Sequence, residues 1–102
     1  MTNLRFENIK KIGVISDNHG QEIPLNALYQ FESVDLIIHC GDMLDLKTLE
    51  PLEMMAPVVK VCGNMDPEDI KRDVPDKIIL EIENPSSSMP KKVFKIGITH
   101  GY

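Results

Sequence analysis

The sequence predicts an α/β fold: an N-terminal βαβαβ unit on a parallel sheet, followed by a β-hairpin. Three observations carry this. Residues 11–16, 35–40 and 57–62 are apolar, β-branched runs too uniform to leave one face in water, the pattern of strands covered on both sides. Two stretches with partly helical spacing lie between them, and strand–helix alternation at such close spacing gives right-handed parallel crossovers. Past residue 76 come two strand-like runs joined by a loop too short for a crossover, so these should pair antiparallel.

At 102 residues the chain reads as one domain, 1–102, with one core. Residues 1–9 are weakly patterned and read as a loose N-terminal arm, with Leu4 and Phe6 able to pack on an edge. The first strand spans about 10–16 through Ile12, Val14 and Ile15. Ile23, Leu25, Ala27, Leu28 and Phe31 mark a helix whose first turn accepts Pro24, because a missing N–H costs nothing there. The second strand, 35–40, leads into Gly41-Asp42. A short helix over 45–54 would turn Leu46, Leu49, Leu52 and Met54 inward, with Asp45 as its cap and Pro51 straining or breaking it. The third strand, 57–62, leads into Gly63-Asn64. Residues 66–76 are polar, with one helical turn around 68–71. The hairpin strands are 77–83 and 91–99, the second carrying Val93, Phe94, Ile96 and Ile98 and ending at His100-Gly101.

Net charge is −5 with no basic run, which argues against nucleic acid held through its phosphates and against an anionic membrane surface. Cys40 and Cys62 each close an apolar run and read as structural free thiols. No apolar stretch is long enough to span a bilayer and the N-terminus has no apolar signal region, so the chain is expected to be cytoplasmic. A phosphate loop of the Gly-x-x-x-x-Gly-Lys type is absent, and no Ser or Cys sits in a nucleophile setting beside a base.

Four predicted strands each hand over to a metal-type residue beside a glycine: Asp17 with His19, then Asp42, Asn64 and His100. Two of these handovers are near copies, His-Cys-Gly-Asp at 39–42 and Val-Cys-Gly-Asn at 61–64. One such aspartate would be an ordinary helix cap. Four strands in succession point instead to one sheet edge, where open α/β sheets bind ligands. A carboxylate such as Asp42 can bridge two cations, the Asn64 amide oxygen is a neutral donor, and the imidazoles of His19 and His100 favour transition ions over magnesium. Two ions about 3.5–4 Å apart can activate a water and stabilise both attacking and leaving oxygens of a phosphoester.

The ordered series Asp-x-His, Gly-Asp, Gly-Asn, His-Gly resembles the calcineurin-like metallophosphoesterase superfamily over residues 10–102. The Gly-Asn-Met-Asp wording at 63–66 resembles its small prokaryotic phosphodiesterase branch. The resemblance implies two mixed sheets stacked between helices, an α-β-β-α sandwich. It implies a phosphodiesterase acting on a small phosphoester substrate through a water activated by two ions: manganese first, with nickel, iron or zinc as alternatives. Asp17 and His19 would ligate the first ion, Asp42 would bridge, and Asn64 and His100 would ligate the second. These five are also the expected catalytic residues.

Two departures stand against the family pattern. The Gly-His-Thr-His-like segment that supplies two further imidazoles is not in this sequence, and Met65 stands where many relatives carry a proton-donating His. The alternatives are therefore a non-catalytic metal-binding or protein-docking scaffold on the same fold, or an inactive fragment of the enzyme. With the later strands absent, the chain is expected to self-associate as a homo-oligomer or recruit a complementing chain. His39 reads as a sheet residue, and Asp66 equally as a partner of the Asn64 loop or as a turn former before Pro67.

Overall fold

Leu36, Ile37, Ile38 and His39 are all buried, so the strand they form is covered on both faces. Everything else in the computed structural model, which describes residues 2–85 and 89–101, is layered about that strand. The strands are β1 (Thr2–Phe6), β2 (Ile12–Ile15), β3 (Leu36–His39), β4 (Val58–Lys60), β5 (Lys77–Glu83) and β6 (Val93–Thr99); the helices are α1 (Leu25–Gln30), α2 (Glu50–Glu53) and α3 (Glu68–Asp73). One sheet has the order β2-β3-β4, parallel throughout. The other has the order β1-β5-β6, with β1 parallel and β6 antiparallel to β5.

Side-chain alternation along β3 separates two cores. Leu36 and Ile38 join Val59, Val61, Ile78, Leu80, Ile82 and Ile98 between the sheets. Ile37 points the other way, into a cluster with Ile23, Met43, Leu49, Leu52 and Ile70 beneath the helices. The layers are thus helices, sheet, sheet; a helical layer over the outer face of the second sheet is not present among the described residues. The expected βαβαβ unit and antiparallel hairpin are both found.

Within the stretch 1–9 expected to be a loose arm, the described residues are ordered against β5, Thr2–Phe6 as a strand and Ile9 through its N–H to Glu83 O. Thr2–Phe6 pairs with β5 from Thr2↔Ile78 to Phe6↔Ile82, and the Arg5 guanidinium reaches Glu81 and Glu83 at 2.9 and 3.3 Å. β1 is exposed along most of its length, and of its two apolar residues Phe6 packs on the core between the sheets while Leu4 stays exposed. What orders it is the open edge of a strand more than seventy positions away, which no local pattern can reveal.

Other apolar positions also differ from expectation. Val14 shares a face with Ile38 but is 61% exposed: β2 is the edge strand of its sheet, and on that face it is Ile12 that packs against the core between the sheets. The helix expected over 45–54 splits into a 3-10 turn, Leu46–Leu49, and α2. Pro51 lies in the first turn of α2, where it is tolerated. The resulting change of helical phase buries Leu49 and Leu52 and leaves Leu46 and Met54 exposed. Asp45 caps the 3-10 turn, accepting from Lys47 N–H, as expected. Leu25 faces solvent, while Ala27 and Leu28 pack on the core. The hairpin closes through Asn84, whose side chain accepts from Lys92 N–H and donates to Pro90 O; residues 86–88 of the expected loop lie outside those described. No helix among the described residues is long and apolar enough to cross a membrane.

Gly13 in β2 lies against the ring of Phe31, and a Cβ there would sit 2.5 Å from Phe31 Cδ1. A Gly13→Val variant is expected to lose about 1–3 kcal/mol of stability through overpacking, read as a lower urea midpoint. An unchanged midpoint would show that α1 moves freely over the sheet.

Candidate metal centre

Parallel pairing brings the carboxyl ends of β2, β3 and β4 to one edge, where the loops that follow are laced together. Asp17 N–H donates to Gly41 O at 2.9 Å, His19 N–H to Asp42 O at 3.0 Å and Gly20 N–H to Met43 O at 2.7 Å. These bonds continue the sheet through residues with left-handed backbone: Asp17 (φ 59°), His19 (φ 48°), Asp42 (φ 59°) and Leu44 (φ 62°). Such a conformation costs of the order of 1–3 kcal/mol for a residue with a Cβ and persists where the surroundings over-determine it.

Asp42 is 3% exposed and stands at the centre. Its Oδ1 accepts from Met65 N–H at 2.9 Å, while Oδ2 lies 3.2 Å from His100 Nε2 and 3.8 Å from His19 Nε2. Asp17 Oδ1 lies 3.4 Å from His19 Nε2 and 3.9 Å from His100 Nε2. One ligand-type atom each from Asp17, Asp42 and His100 falls within 4.8 Å of the others. A hydrogen bond with the Ser16 side chain holds the Asp17 carboxyl below its ordinary value, with smaller help from His19 and His100.

The tautomer of His100 bears on what this cluster can hold. Its Nδ1 lies 2.7 Å from Cys40 O, and a carbonyl only accepts, so Nδ1 carries a proton. In the neutral ring, Nε2 then turns a lone pair toward the carboxylates of Asp42 and Asp17. Acceptors facing acceptors require positive charge between them, which a second ring proton or a divalent cation supplies. An imidazole fixed by a backbone carbonyl on its far nitrogen is also how metal-bound histidines are oriented. The donor set therefore fits a divalent transition ion.

Asn64 is on the adjoining loop, one residue before the Met65 N–H that binds Asp42, and it is exposed. Gly63 makes the close approach feasible, since a Cβ there would collide with Asp42 Oδ1. Two residues outside the expected set support these loops. Asp66, 3% exposed, accepts from Asp42 N–H at 2.9 Å, Leu44 N–H at 2.8 Å and Gly63 N–H at 2.7 Å, which decides its role in favour of the loop partner. Asn18 bonds to His39 in the sheet. The signal for Asp66 was its place three residues after Gly63; nothing in the sequence singles out Asn18. His39 is fully buried, and this pushes its imidazole below the ordinary value. Cys40 and Cys62 are free thiols, both raised by burial.

The two-sheet α/β architecture, with acids and imidazoles gathered at its strand ends, is that of a two-layered sandwich domain with a candidate metal centre. Within that class the chain belongs to the calcineurin-like phosphoesterase superfamily, whose domain matches residues 11–102. It is 44% identical over 94 residues to a probable metallophosphoesterase of Methanocaldococcus jannaschii, covering 88% of this chain and 42% of that protein. A probable metallophosphoesterase of Methanothermobacter thermautotrophicus is 38% identical over 94 residues, covering 88% of this chain and 49% of that protein. A phosphodiesterase of Methanocaldococcus jannaschii is 29% identical over 101 residues, covering 90% of this chain and 59% of that protein. The chain thus spans about half the length of these relatives. Among solved structures, Vps29 of Chaetomium thermophilum shares the fold at a TM-score of 0.55 and 20% identity, over 67% of this chain and 39% of that one.

Two outcomes follow from the buried groups. Asp66→Ala strands three backbone N–H groups, each costing about 1–3 kcal/mol when left unpaired, so a loss of at least about 3 kcal/mol is expected in chemical denaturation. A loss below 1 kcal/mol, on the order of a surface substitution, would contradict the clamp. His39 has a depressed folded-state pKa, so its neutral form stabilises the fold fully above the ordinary value of 6.5. That contribution is lost as pH falls from there through the folded value. The same decline should be shallower in His39→Gln, measured by urea midpoints across pH 5 to 7.5.

Proposed function

We propose that this chain carries the metal centre of a divalent-metal-dependent phosphoesterase, acting on phosphodiesters. The observation that supports it most directly is the convergence of Asp17, Asp42 and His100, with His19 beside them, in a family of phosphoesterases. The similarity to a named phosphodiesterase favours diesters among phosphoesters.

In this reading Asp17 and His19 would hold one ion, Asp42 would serve both, and Asn64 and His100 would hold a second. Manganese is the first choice, with nickel, iron or zinc as alternatives. Bound ions supply Lewis acidity toward a phosphoryl oxygen and make a water nucleophilic at neutral pH. The chain's own part is orientation. Asp42 is locked by Met65 N–H on one oxygen, so its other oxygen keeps a fixed aim. His100 is turned by the Cys40 carbonyl to present Nε2. His19, 44% exposed, stands on the solvent side, where a small phosphoester enters. Met65 brings a thioether to this rim, so it has no proton to give a leaving group. A second copy or a complementing chain at the β6 edge, beside exposed Val93 and Phe94, belongs to the same proposal.

Hydrolysis of a chromogenic bis-phosphodiester with added manganese tests the reading. Turnover should fall by more than about 100-fold in Asp42→Ala, beyond the 10–100-fold typical of groups that only support a ligand. Manganese at about 100 times its Kd should also add about 2.7 kcal/mol to stability, reversed by EDTA. Metal binding without turnover would favour the scaffold alternative, and an unfolding midpoint indifferent to metal would remove the centre altogether.

A further inference from the structure

Asn18 separates two candidate ligands, Asp17 and His19, and its side chain is held from both ends. Gly41 N–H donates to His39 Nδ1 at 3.1 Å, so that nitrogen supplies a lone pair. In the neutral ring the proton is then on Nε2, which donates to Asn18 Oδ1 at 2.8 Å. This fixes the amide the other way round: Nδ2 donates to Gln21 O at 2.9 Å and to Thr48 Oγ1 at 2.8 Å. The Thr48 hydroxyl gives its own proton to Asp45 O at 2.7 Å, leaving a lone pair for Asn18. Every donor along this path meets an acceptor, and one orientation satisfies all of them.

The path links the buried middle of the first sheet to the 3-10 turn ahead of α2, across the loop that carries Asp17 and His19. Both of those residues are left-handed and more than 40% exposed, so packing does little to hold them. Their backbone N–H groups bond to Gly41 O and Asp42 O, and Asn18, half-buried between them, is the side-chain anchor of the loop. We propose that His39, Asn18 and Thr48 form the positioning device of the metal centre: His39 and Thr48 lock the Asn18 amide, and the locked amide sets where Asp17 and His19 present their ligand atoms. This rests on reading the cluster as a metal centre. His39, Asn18 and Thr48 act through the ligands and are positioning residues. A ligand loop that must be ordered by the ion binds it more weakly than one already in place.

The test is manganese titration of the full chain, with bound and free ion separated by electron paramagnetic resonance, beside the unfolding midpoint in EDTA. Asn18→Ala and His39→Leu should weaken manganese binding by about 10-fold or more, and Thr48→Val by a smaller factor from the opposite end. His39→Gln, whose amide N–H can stand in for Nε2–H, should recover much of the affinity lost in His39→Leu. Ile82→Ala, a core truncation at the end of β5 away from His100, should lower the midpoint and leave the affinity of the folded chain unchanged. The inference is overturned if Asn18→Ala binds within about twofold of the parent chain, if glutamine at 39 is no better than leucine, or if Ile82→Ala loses as much affinity. Should the parent chain bind no more manganese than Asp42→Ala, the metal centre itself falls and this device with it. Should Asp42→Ala lose binding while Asn18→Ala keeps it, only the device falls.

Discussion

Two buried carboxylates, Asp42 and Asp66, depend on each other's loops. Asp66 gathers the N–H groups of Asp42, Leu44 and Gly63, and Asp42 takes that of Met65. A buried carboxylate without donors is prohibitively unfavourable, so neither loop can leave without stranding the acid on the other. The arrangement makes one rigid unit of the turns after β3 and β4. It also leaves the second oxygen of Asp42 facing the imidazoles.

The rest of the centre is brought to that unit by sheet geometry. β2 pairs in parallel with β3, and the lacing continues past the strand ends through Gly41, Asp42 and Met43 carbonyls, which places Asp17 and His19 beside Asp42. His100 arrives from the other sheet. Its strand packs Ile98 into the core between the layers, and its ring then meets Cys40 O, sixty residues earlier in the chain. Both sheets therefore contribute to the centre, and the apolar layer between them fixes how far apart those contributions lie. Asp17, His19 and Asp42 are left-handed in these loops, and hydrogen bonds from the neighbouring loop hold Asp17 and His19 there.

The sequence by itself determined the parallel unit, the hairpin and which residues would stand at strand ends. β3 and β5 lie in apolar runs, and burial on one or both faces leaves a local, periodic imprint. The candidate ligands stood out for a related reason: four strand ends in succession carry an acid, amide or imidazole beside a glycine, where one alone would be an ordinary cap. Tertiary structure decided the rest. Thr2–Phe6 is a strand because β5 offers it an edge, and that edge is distant in sequence. Leu46 and Met54 are exposed because a 3-10 turn shifts the phase ahead of Pro51, a small backbone change that a periodicity averages away. Of the supporting residues, Asn18 was the least legible, and Asp66 was legible only as one of two readings. Their hydrogen bonds run to backbone groups and side chains on other loops, and a hydrogen bond, unlike burial, leaves no periodic trace in the chain that makes it.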